Sequence, residues 1–457
     1  MKSLIPVYVQ CLFVVLITGS FSKVSRAATW QVGGGGDFTS IQAALSEPNV
    51  VDGDIIVVAE GIYCENIDFS GKAVTLSGSN PDDPNVVAAT IIDGSTPANP
   101  AYASVVTVRN GEGRDSVLAG FTLRKGKGTY AGSNSFGGGV LCIGTSPTIR
   151  KCVITGNSTT HMGGGIHCEA KAGPLISDCT ISQNSATNRG GGIQCTLSTI
   201  TVENCIITGN QSINGGGICL YNVSDENVIR KTRIISNTGD LYGGGIYCYK
   251  SRVSLYDSII STNSSSGGGG GVYLYSRSSG TFRNTIFSGN RAANGGGLFC
   301  SSSSSPVLTY CVVAGNYAST DGGGLRCLSL SNPGIRNCIF WQNKPQQIFQ
   351  ITSMPEIQYC FVQNGWGTAG DHNIPFNQPG LDPNFVLAGS WDSSTNWVEV
   401  DFEQDGDTAY HLEADSPCVD RGDPNLVPDA DEADIDGQPR FCGFGTDMGI
   451  DETSPEK

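Results

Sequence analysis

Charge is scarce in this chain: charged residues make up 15% of its 457 positions, and histidine occurs 4 times. Chains that stay disordered through charge and low hydrophobicity are therefore excluded. With so little histidine and no C-x-x-C pair, a zinc site built on the cysteines is not expected. Basic residues are outnumbered 27 to 42 by acidic ones, which leaves no electrostatic footprint for nucleic acid. Beyond the N-terminal stretch no apolar run is long enough to cross a bilayer, so the mature chain is expected to hold no transmembrane segment. Glycine is plentiful, at 62 residues, but lacks the three-residue period of collagen. Its abundance points to repeated tight turns.

The N-terminus has the layout of a signal peptide. Lys2 supplies the positive start, Leu4 to Gly19 an apolar stretch, and Ser25-Arg26-Ala27 a small-x-small cleavage signal. Residues 1–27 are thus expected to be removed, and the protein to be secreted or held at the cell surface. Charge then divides the rest. Residues 28–370 hold 21 acidic and 21 basic side chains, whereas residues 371–457 hold 21 acidic and 3 basic. A boundary near residue 370 follows.

Between residues 137 and 370 the chain repeats. Eight glycine triplets are each followed by a branched aliphatic: Val140, Ile166, Ile193, Ile218, Ile246, Val272, Leu298 and Leu325, at spacings of 25 to 28 residues. An asparagine precedes each triplet from the second onward (Asn157, Asn184, Asn210, Asn237, Asn263, Asn290, Asn316), and Asn343 and Asn364 extend the column. A unit of about 26 residues is too short to bury its own apolar face, so neighbours must stack. The runs are short, β-branched and broken by Gly and Asn, which makes them strands. The expected fold is all-β: a right-handed parallel β-helix with twelve or thirteen coils, about 55–60 Å long at ordinary strand spacing. Asparagine side chains are expected to form a ladder at a turn where Asn itself takes a positive φ. Residues 28–136 carry less regular coils, with Thr39-Ser-Ile-Gln42 as a capping box opening a helical cap through Ser46. Residues 371–457 form an irregular acidic C-terminal region.

Three sets of motifs resemble known exported proteins. The GGG-I and I-x-x-N elements over residues 137–345 resemble the repeats of chlamydial polymorphic outer-membrane proteins. Phe38-Thr-Ser-Ile-Gln-Ala-Ala-Leu45, Gly53-Asp54 and Gly61-Ile-Tyr-Cys-Glu65 look like the opening of exported β-helix proteins, pectin methylesterases among them. Leu381-Asp-Pro-Asn-Phe385, Ser416-Pro-Cys-Val-Asp420, Asp436-Gly-Gln-Pro-Arg440 and Asp447-Met-Gly-Ile-Asp451 resemble the tail of bacterial choice-of-anchor Q proteins. These resemblances imply a pectate-lyase-like solenoid and export. They imply little chemistry, because only one methylesterase element is matched and none of that family's catalytic-aspartate motifs is present.

Cysteines fall in two columns that share a face with the aliphatics. One holds Cys142, Cys168, Cys195, Cys248, Cys300 and Cys327; the other holds Cys152, Cys179, Cys205, Cys311 and Cys338. Five coils carry both members, which favours disulfides within a coil: Cys142–Cys152, Cys168–Cys179, Cys195–Cys205, Cys300–Cys311 and Cys327–Cys338. Small buried thiols filling a narrow core are the alternative. Cys418 and Cys442 could staple the acidic region.

No nucleophile motif, phosphate-cradling loop or metal spacing is present. His167 and Glu169 share an outward face and are the weak catalytic candidates. Asp429, Asp431, Asp434 and Asp436 offer oxygen ligands dense enough for Ca²⁺, though their spacing misses the EF-hand loop; no cofactor is otherwise implied. One pattern stands out. Strand alternation sends Tyr221, Tyr247, Tyr249, Tyr273, Tyr275 and Phe299 to one outward face on adjacent coils, an expected exposed platform for sugar rings. On this reading Tyr247 and Tyr273 could be removed with little loss of stability. The expected function is a non-catalytic exported protein that binds a polysaccharide or another surface component. A polysaccharide lyase is the alternative reading, and a purely structural surface component the second.

Overall fold

A computed structural model of the chain describes residues 27–367 without a break. Beyond them it describes residues 371–374, 381–387, 390–392, 397–399, 410–426, 428, 432–440 and 445–453. The signal-peptide reading of residues 1–27 falls outside these residues but for Ala27, and the calcium candidates Asp429 and Asp431 and the staple candidate Cys442 lie outside them as well.

Each coil lays down short strands that stack into parallel sheets of 13, 12 and 11 strands, hereafter the first, second and third sheets; a fourth has 7. The post-triplet aliphatics stack in strict register from Val140 through Ile166, Ile193, Ile218, Ile246, Val272, Leu298 and Leu325 to Ile348. A spacing of 25 to 28 residues is therefore one step along the axis. In the first sheet the next-to-last residue of each of these strands points inward, which stacks Ile149, Ile176, Val202, Ile229, Leu255, Phe282, Leu308 and Ile335 in the core. The expected parallel β-helix is the observed fold.

Two of the tight corners in each coil explain the polar columns. The first is led by Lys151, Asp178, Asn204, Lys231, Asp257 and their successors, all at positive φ. The second is led by Gly156, Gln183, Gly209, Ser236, Thr262, Gly289, Gly315 and Gln342, also at positive φ. The ladder asparagine is the residue after that bend, so the left-handed conformation belongs to its predecessor and not to Asn as the sequence reading had it. This placement turns the amide inward. Asn157 donates from Nδ2 to Asn184 Oδ1 at 3.1 Å while its backbone N–H donates to the same oxygen at 3.0 Å. The pattern repeats through Asn210, Asn237, Asn263, Asn290 and Asn316 to Asn343. At the end Gln347 substitutes, accepting from Asn343 at 2.6 Å. Asn364, expected to continue the column, stands outside it at a bend with φ of 70°.

The first corner carries a second ladder. Cys152 N–H donates to Cys179 Sγ at 3.5 Å and Cys179 N–H to Cys205 Sγ at 3.4 Å. Cys205 N–H then donates to Thr232 Oγ1 at 3.3 Å, and Thr232 N–H to Ser258 Oγ at 3.2 Å. Cysteine, threonine and serine are interchangeable here because each offers one small inward acceptor. All 15 described cysteines are free thiols, so none of the five expected within-coil bridges is formed. Cys142, Cys168 and Cys195 instead stack on one another, as do Cys300 and Cys327. Stacked side chains at strand spacing stand wider than the Cβ separation a disulfide adopts. Burial pushes the thiols of Cys179, Cys248, Cys311 and Cys338 well above their ordinary pKa. Among the described cysteines only Cys64 is exposed. Native protein treated with an alkylating reagent is thus expected to be modified at Cys64 and spared at the column cysteines until it is unfolded. Thiols still missing after unfolding without reductant, counted by mass, would reinstate the bridges.

The glycine triplets are needed at each of their three positions. The first, as at Gly163 with φ of 67°, turns the chain so closely that a Cβ would meet His167 Cβ at 2.6 Å. The second and third lie against the next coil: a Cβ on Gly165 would sit 2.5 Å from Gly192 O. Backbone neighbours cannot yield as a flexible side chain can.

The N-terminal end is closed by a helix, α1 (Ile41–Ser46), which buries Ile41, Ala44 and Leu45. Its cap is Ser40, which accepts from Ala43 N–H, and not Thr39. Gln42 turns the other way, accepting from Asp68 N–H at 2.7 Å. The reciprocal half of the cap is supplied by Glu65, whose two oxygens accept from Ile41 and Gln42 N–H at 2.9 and 2.8 Å. Gly61-Ile-Tyr-Cys-Glu65 therefore ends in a carboxylate that satisfies the free amides of a helix from the preceding coil.

The acidic region doubles back on the solenoid. On the second sheet the outward row Ile259, Ile286, Val312, Ile339 and Phe361 is apolar. Phe385, Tyr410, Leu412, Cys418, Met448 and Ile450 pack on it as a second core. Asn337 holds this cover by accepting from Asp423 N–H at Oδ1 and from Gly449 N–H at its carbonyl, both at 2.8 Å. Arg336 pairs with Asp423 at 2.8 Å. Arg440 is fully buried and donates to Asn284 Oδ1 and Ile450 O, with its guanidinium 4.2 Å from the Tyr310 ring. The acids of the tail motifs serve largely as acceptors for backbone N–H groups: Asp434 for Asp436, Gln438 and Glu452, and Asp447 for Asp420 and Thr453.

Candidate functional site on the outer face of the third sheet

Strand alternation does send the aromatic columns outward, but only one of them faces solvent. The inner row, Leu141, His167, Gln194, Cys219, Tyr247, Tyr273 and Phe299, is buried; Tyr247, Tyr273 and Phe299 are exposed by 8, 6 and 6%. They form a core of their own outside the sheet. The cover comes from the residue that precedes each triplet. Phe136, Met162, Arg189, Asn214, Tyr242, Gly268, Asn294 and Asp321 stack on one another in parallel. The first glycine of the triplet folds that stack back over the sheet. Tyr242 consequently sits 6.4 Å from Tyr247 and 5.0 Å from Tyr273, centroid to centroid. The platform expected from six rings is therefore corrected: Tyr247, Tyr273 and Phe299 are its foundation and not its surface. Their burial raises the hydroxyl pKa of Tyr247 and Tyr273 and pushes the Cys219 thiol up to about 12.

Tyr221, Tyr249 and Tyr275 make the outer row, half-buried and open on one side. Tyr221 and Tyr249 stack at 4.6 Å and 15°, and Tyr249 and Tyr275 follow at 5.7 Å. Arg189 lies 4.0 Å from the Tyr221 ring, closing one end of the row. Arg326, ion-paired with Asp321, lies over Phe299 and closes the end of the buried inner row. Beside the row, where the third sheet turns into the first, run two shallow hollows of about 570 and 410 Å³ that meet at Val223 and Ser224. Lys171, Lys250, Arg252 and Arg277 line them, and Asp225 is their one acid. Lys250 Nζ stands 5.3 Å from the Tyr249 ring.

The weak catalytic pair is brought together but shut in. His167 Nε2 lies 3.3 Å from Glu169 Oε2, and that bond lowers the Glu169 pKa. The imidazole has 1% of its side chain exposed and packs 5.2 Å from Phe136. A ring so enclosed presents no face to a polymer. Of the calcium candidates, Asp434 and Asp436 are described. Asp434 is committed to three backbone N–H groups, whereas Asp436 lies near His411 and Asp451, two residues that sequence reasoning missed. Neither adjoins Asp436 in the chain, so spacing alone could not reveal them. Arg189 and Tyr242 were missed too. Their signal was available in their shared position immediately ahead of a triplet.

Three long parallel sheets wound from one chain define a parallel β-helix solenoid. The right handed beta helix region family matches residues 101–256 and 214–364, more than half of the sequence, and the protein belongs to that family. Among solved structures, pectate lyase Pel9A is similar over 94% of this chain and 97% of its own, at 12% identity and a TM-score of 0.42. A pectin methylesterase from carrot is similar over 71% of this chain and 88% of its own, at 13% identity and a TM-score of 0.27. No curated protein sequence matches the chain. Among the described residues no helix is long and apolar enough to cross a membrane.

Proposed function

We propose that this chain is an exported, non-catalytic β-helix protein that holds glycan along the outer row of the third sheet. The observation that carries the reading is the row Tyr221, Tyr249 and Tyr275, set one per coil on a buried second layer of rings. Rings packed against one another along the axis turn their edges and hydroxyl tips outward, where they can meet the C–H groups and hydroxyls of sugar rings. A polymer lying along the axis would meet one ring per coil, so weak contacts add through repetition. Lys171, Lys250, Arg252 and Arg277 beside the row favour a glycan that carries acidic groups. Export rests on the N-terminal sequence alone.

The test separates surface from foundation. The double variant Tyr249→Ala, Tyr275→Ala is expected to lose retention on acidic glycan columns at least tenfold while its thermal midpoint stays close to that of the parent. Tyr273→Ala alone is expected to destabilise by about 3–5 kcal/mol, as large-to-small changes at buried aromatics do. Retention unchanged in the double variant, or no retention by the parent on any glycan, would sink the reading. Release of unsaturated products would replace it with the lyase.

A further inference from the structure

We propose a divalent-metal site in the C-terminal cover, formed by His411, Asp436 and Asp451 and of the mixed nitrogen–oxygen class that takes Zn²⁺ or Mn²⁺. One ligand atom from each of the three lies within 4.8 Å of the other two. His411 Nδ1 is 3.4 Å from Asp436 Oδ2. Tetrahedral ligands with bonds of 2.0–2.2 Å stand roughly 3.4 Å apart, so one edge of such a polyhedron already has its length. The residues come from three segments that meet only in the folded cover. His411 lies next to Leu412, which bridges Phe385; Asp436 lies in the turn organised by Asp434; Asp451 lies in the final described segment.

Each ligand is held from behind. Leu412 N–H donates to Asp451 Oδ2 at 3.0 Å, which ties the histidine segment to the second carboxylate. Ile435 N–H donates to Ile450 O at 3.1 Å, which ties the Asp436 turn to the same segment. Asp434 fixes that turn by accepting from Asp436 and Gln438 N–H at 2.9 and 2.8 Å. A site whose backbone is fixed before the ion arrives gives up little entropy on binding.

Two further observations point to a cation. His411 Nε2 is shielded from solvent and has no hydrogen-bond partner, so the ring meets Asp436 through Nδ1. With the proton on Nε2, the Nδ1 lone pair is turned to the carboxylates, where an ion would sit. Charge is also out of balance. Asp434, Asp447, Asp451 and Glu452 are all buried, while Arg440 is the one buried cation among the described residues of 410–453. Arg440 lies 3.8 Å from Glu452 and spends its donors on the carbonyls of Ile450 and Asp451 and on Asn284 Oδ1, not on the Asp451 carboxylate. Buried carboxylates call for paired charge or a metal. Calcium favours six to eight oxygens, and the nitrogen ligand shifts the preference toward Zn²⁺ or Mn²⁺. This inference does not depend on glycan binding.

The full-length mature protein, stripped with chelator and dialysed, would be titrated calorimetrically with ZnCl₂, MnCl₂, CaCl₂ and MgCl₂ in turn. The expected result is one Zn²⁺ or Mn²⁺ per chain, at least tenfold tighter than Ca²⁺ or Mg²⁺, with slower proteolysis of the cover. His411→Gln and Asp436→Asn are each expected to weaken that binding at least tenfold. Asp436 is exposed, so its variant keeps the fold, and circular dichroism of both variants confirms it. Three results would overturn the site. One is no binding of any of the four ions. The second is Zn²⁺ binding that both variants retain, which would place the ion on thiols elsewhere. The third is Ca²⁺ binding lost with Asp436→Asn but indifferent to His411→Gln, which would mark an oxygen site without the histidine.

Discussion

Replacing Asn237 with leucine is expected to lower the stability of the solenoid by about 4 kcal/mol, read as a shift in the denaturant midpoint. Asn237 sits in the middle of the ladder. Its Oδ1 accepts from the backbone N–H and the Nδ2 of Asn210, both at 3.0 Å. Its own Nδ2 donates to Ile207 O at 2.8 Å and to Asn263 Oδ1 at 3.0 Å. Leucine fills the space but strands two donors of Asn210 and the carbonyl of Ile207 in a dry interior. Each stranded group costs about 1–3 kcal/mol. The same change at Asn157 strands two groups on the upstream side, the N–H of Gly126 and the carbonyl of Leu123, so about two-thirds of the loss is expected there. Small and equal losses at both sites would show that shape, and not hydrogen bonding, sets the column. Stability of a solenoid is close to a sum of coil and interface contributions, so a break in the middle is also expected to broaden the transition.

The second large effect concerns the cover. Arg440→Ala is expected to cost about 3–5 kcal/mol locally, the usual consequence of removing one partner from a buried ionic network. The guanidinium now joins Asn284 and Tyr310 on the solenoid to Ile450 and Glu452 on the cover. Without it the Glu452 carboxylate is left buried beside unfilled space. The cover should lift while the sheets beneath it persist, because none of the three long sheets includes a cover strand. Limited proteolysis should then cut within residues 410–453 and an apolar dye should bind, with the strand signal in circular dichroism nearly unchanged. Arg421→Ala, at an exposed cation of the same segment, is the control and should change neither. A variant that resists protease as the parent does would show that the apolar contacts hold the cover unaided.

The coil could be read from sequence because one phase relation recurs at every level. The aliphatic after each triplet, the inward asparagine and the small inward acceptor all keep their distance from one another, and stacking then dictates register. Val140 to Leu325 fell into line for that reason. The reading failed where a second layer lies over the first. Alternation says which side of a strand Tyr247 occupies, but it does not say what covers that side. The cover was written one residue ahead of each triplet, in Phe136, Arg189 and Tyr242, where glycine bends the chain back. The cysteine columns misled in another way. Paired occupancy looked like bonding, whereas Cys205 giving way to Thr232 and Ser258 shows that a hydrogen-bond acceptor was being conserved in kind from coil to coil. The metal candidates were half legible: Asp436 stands in a visible acidic run, but His411 and Asp451 are brought to it only by the packing of the cover.

The apolar row that the cover occupies has a consequence for the order in which the protein is made. Coils can close one after another as the chain is delivered N-terminus first, each on the template of the last, with the helix at Ile41–Ser46 already sealing the first edge. Ile259, Ile286, Val312, Ile339 and Phe361 are all in place well before Met448 and Ile450 emerge. For that interval the growing molecule displays a greasy stripe on a finished scaffold, the kind of surface that draws chains together. A chain arrested between residues 367 and 410 should therefore be a folded, sticky rod, and the closing segment is what makes it a solitary one.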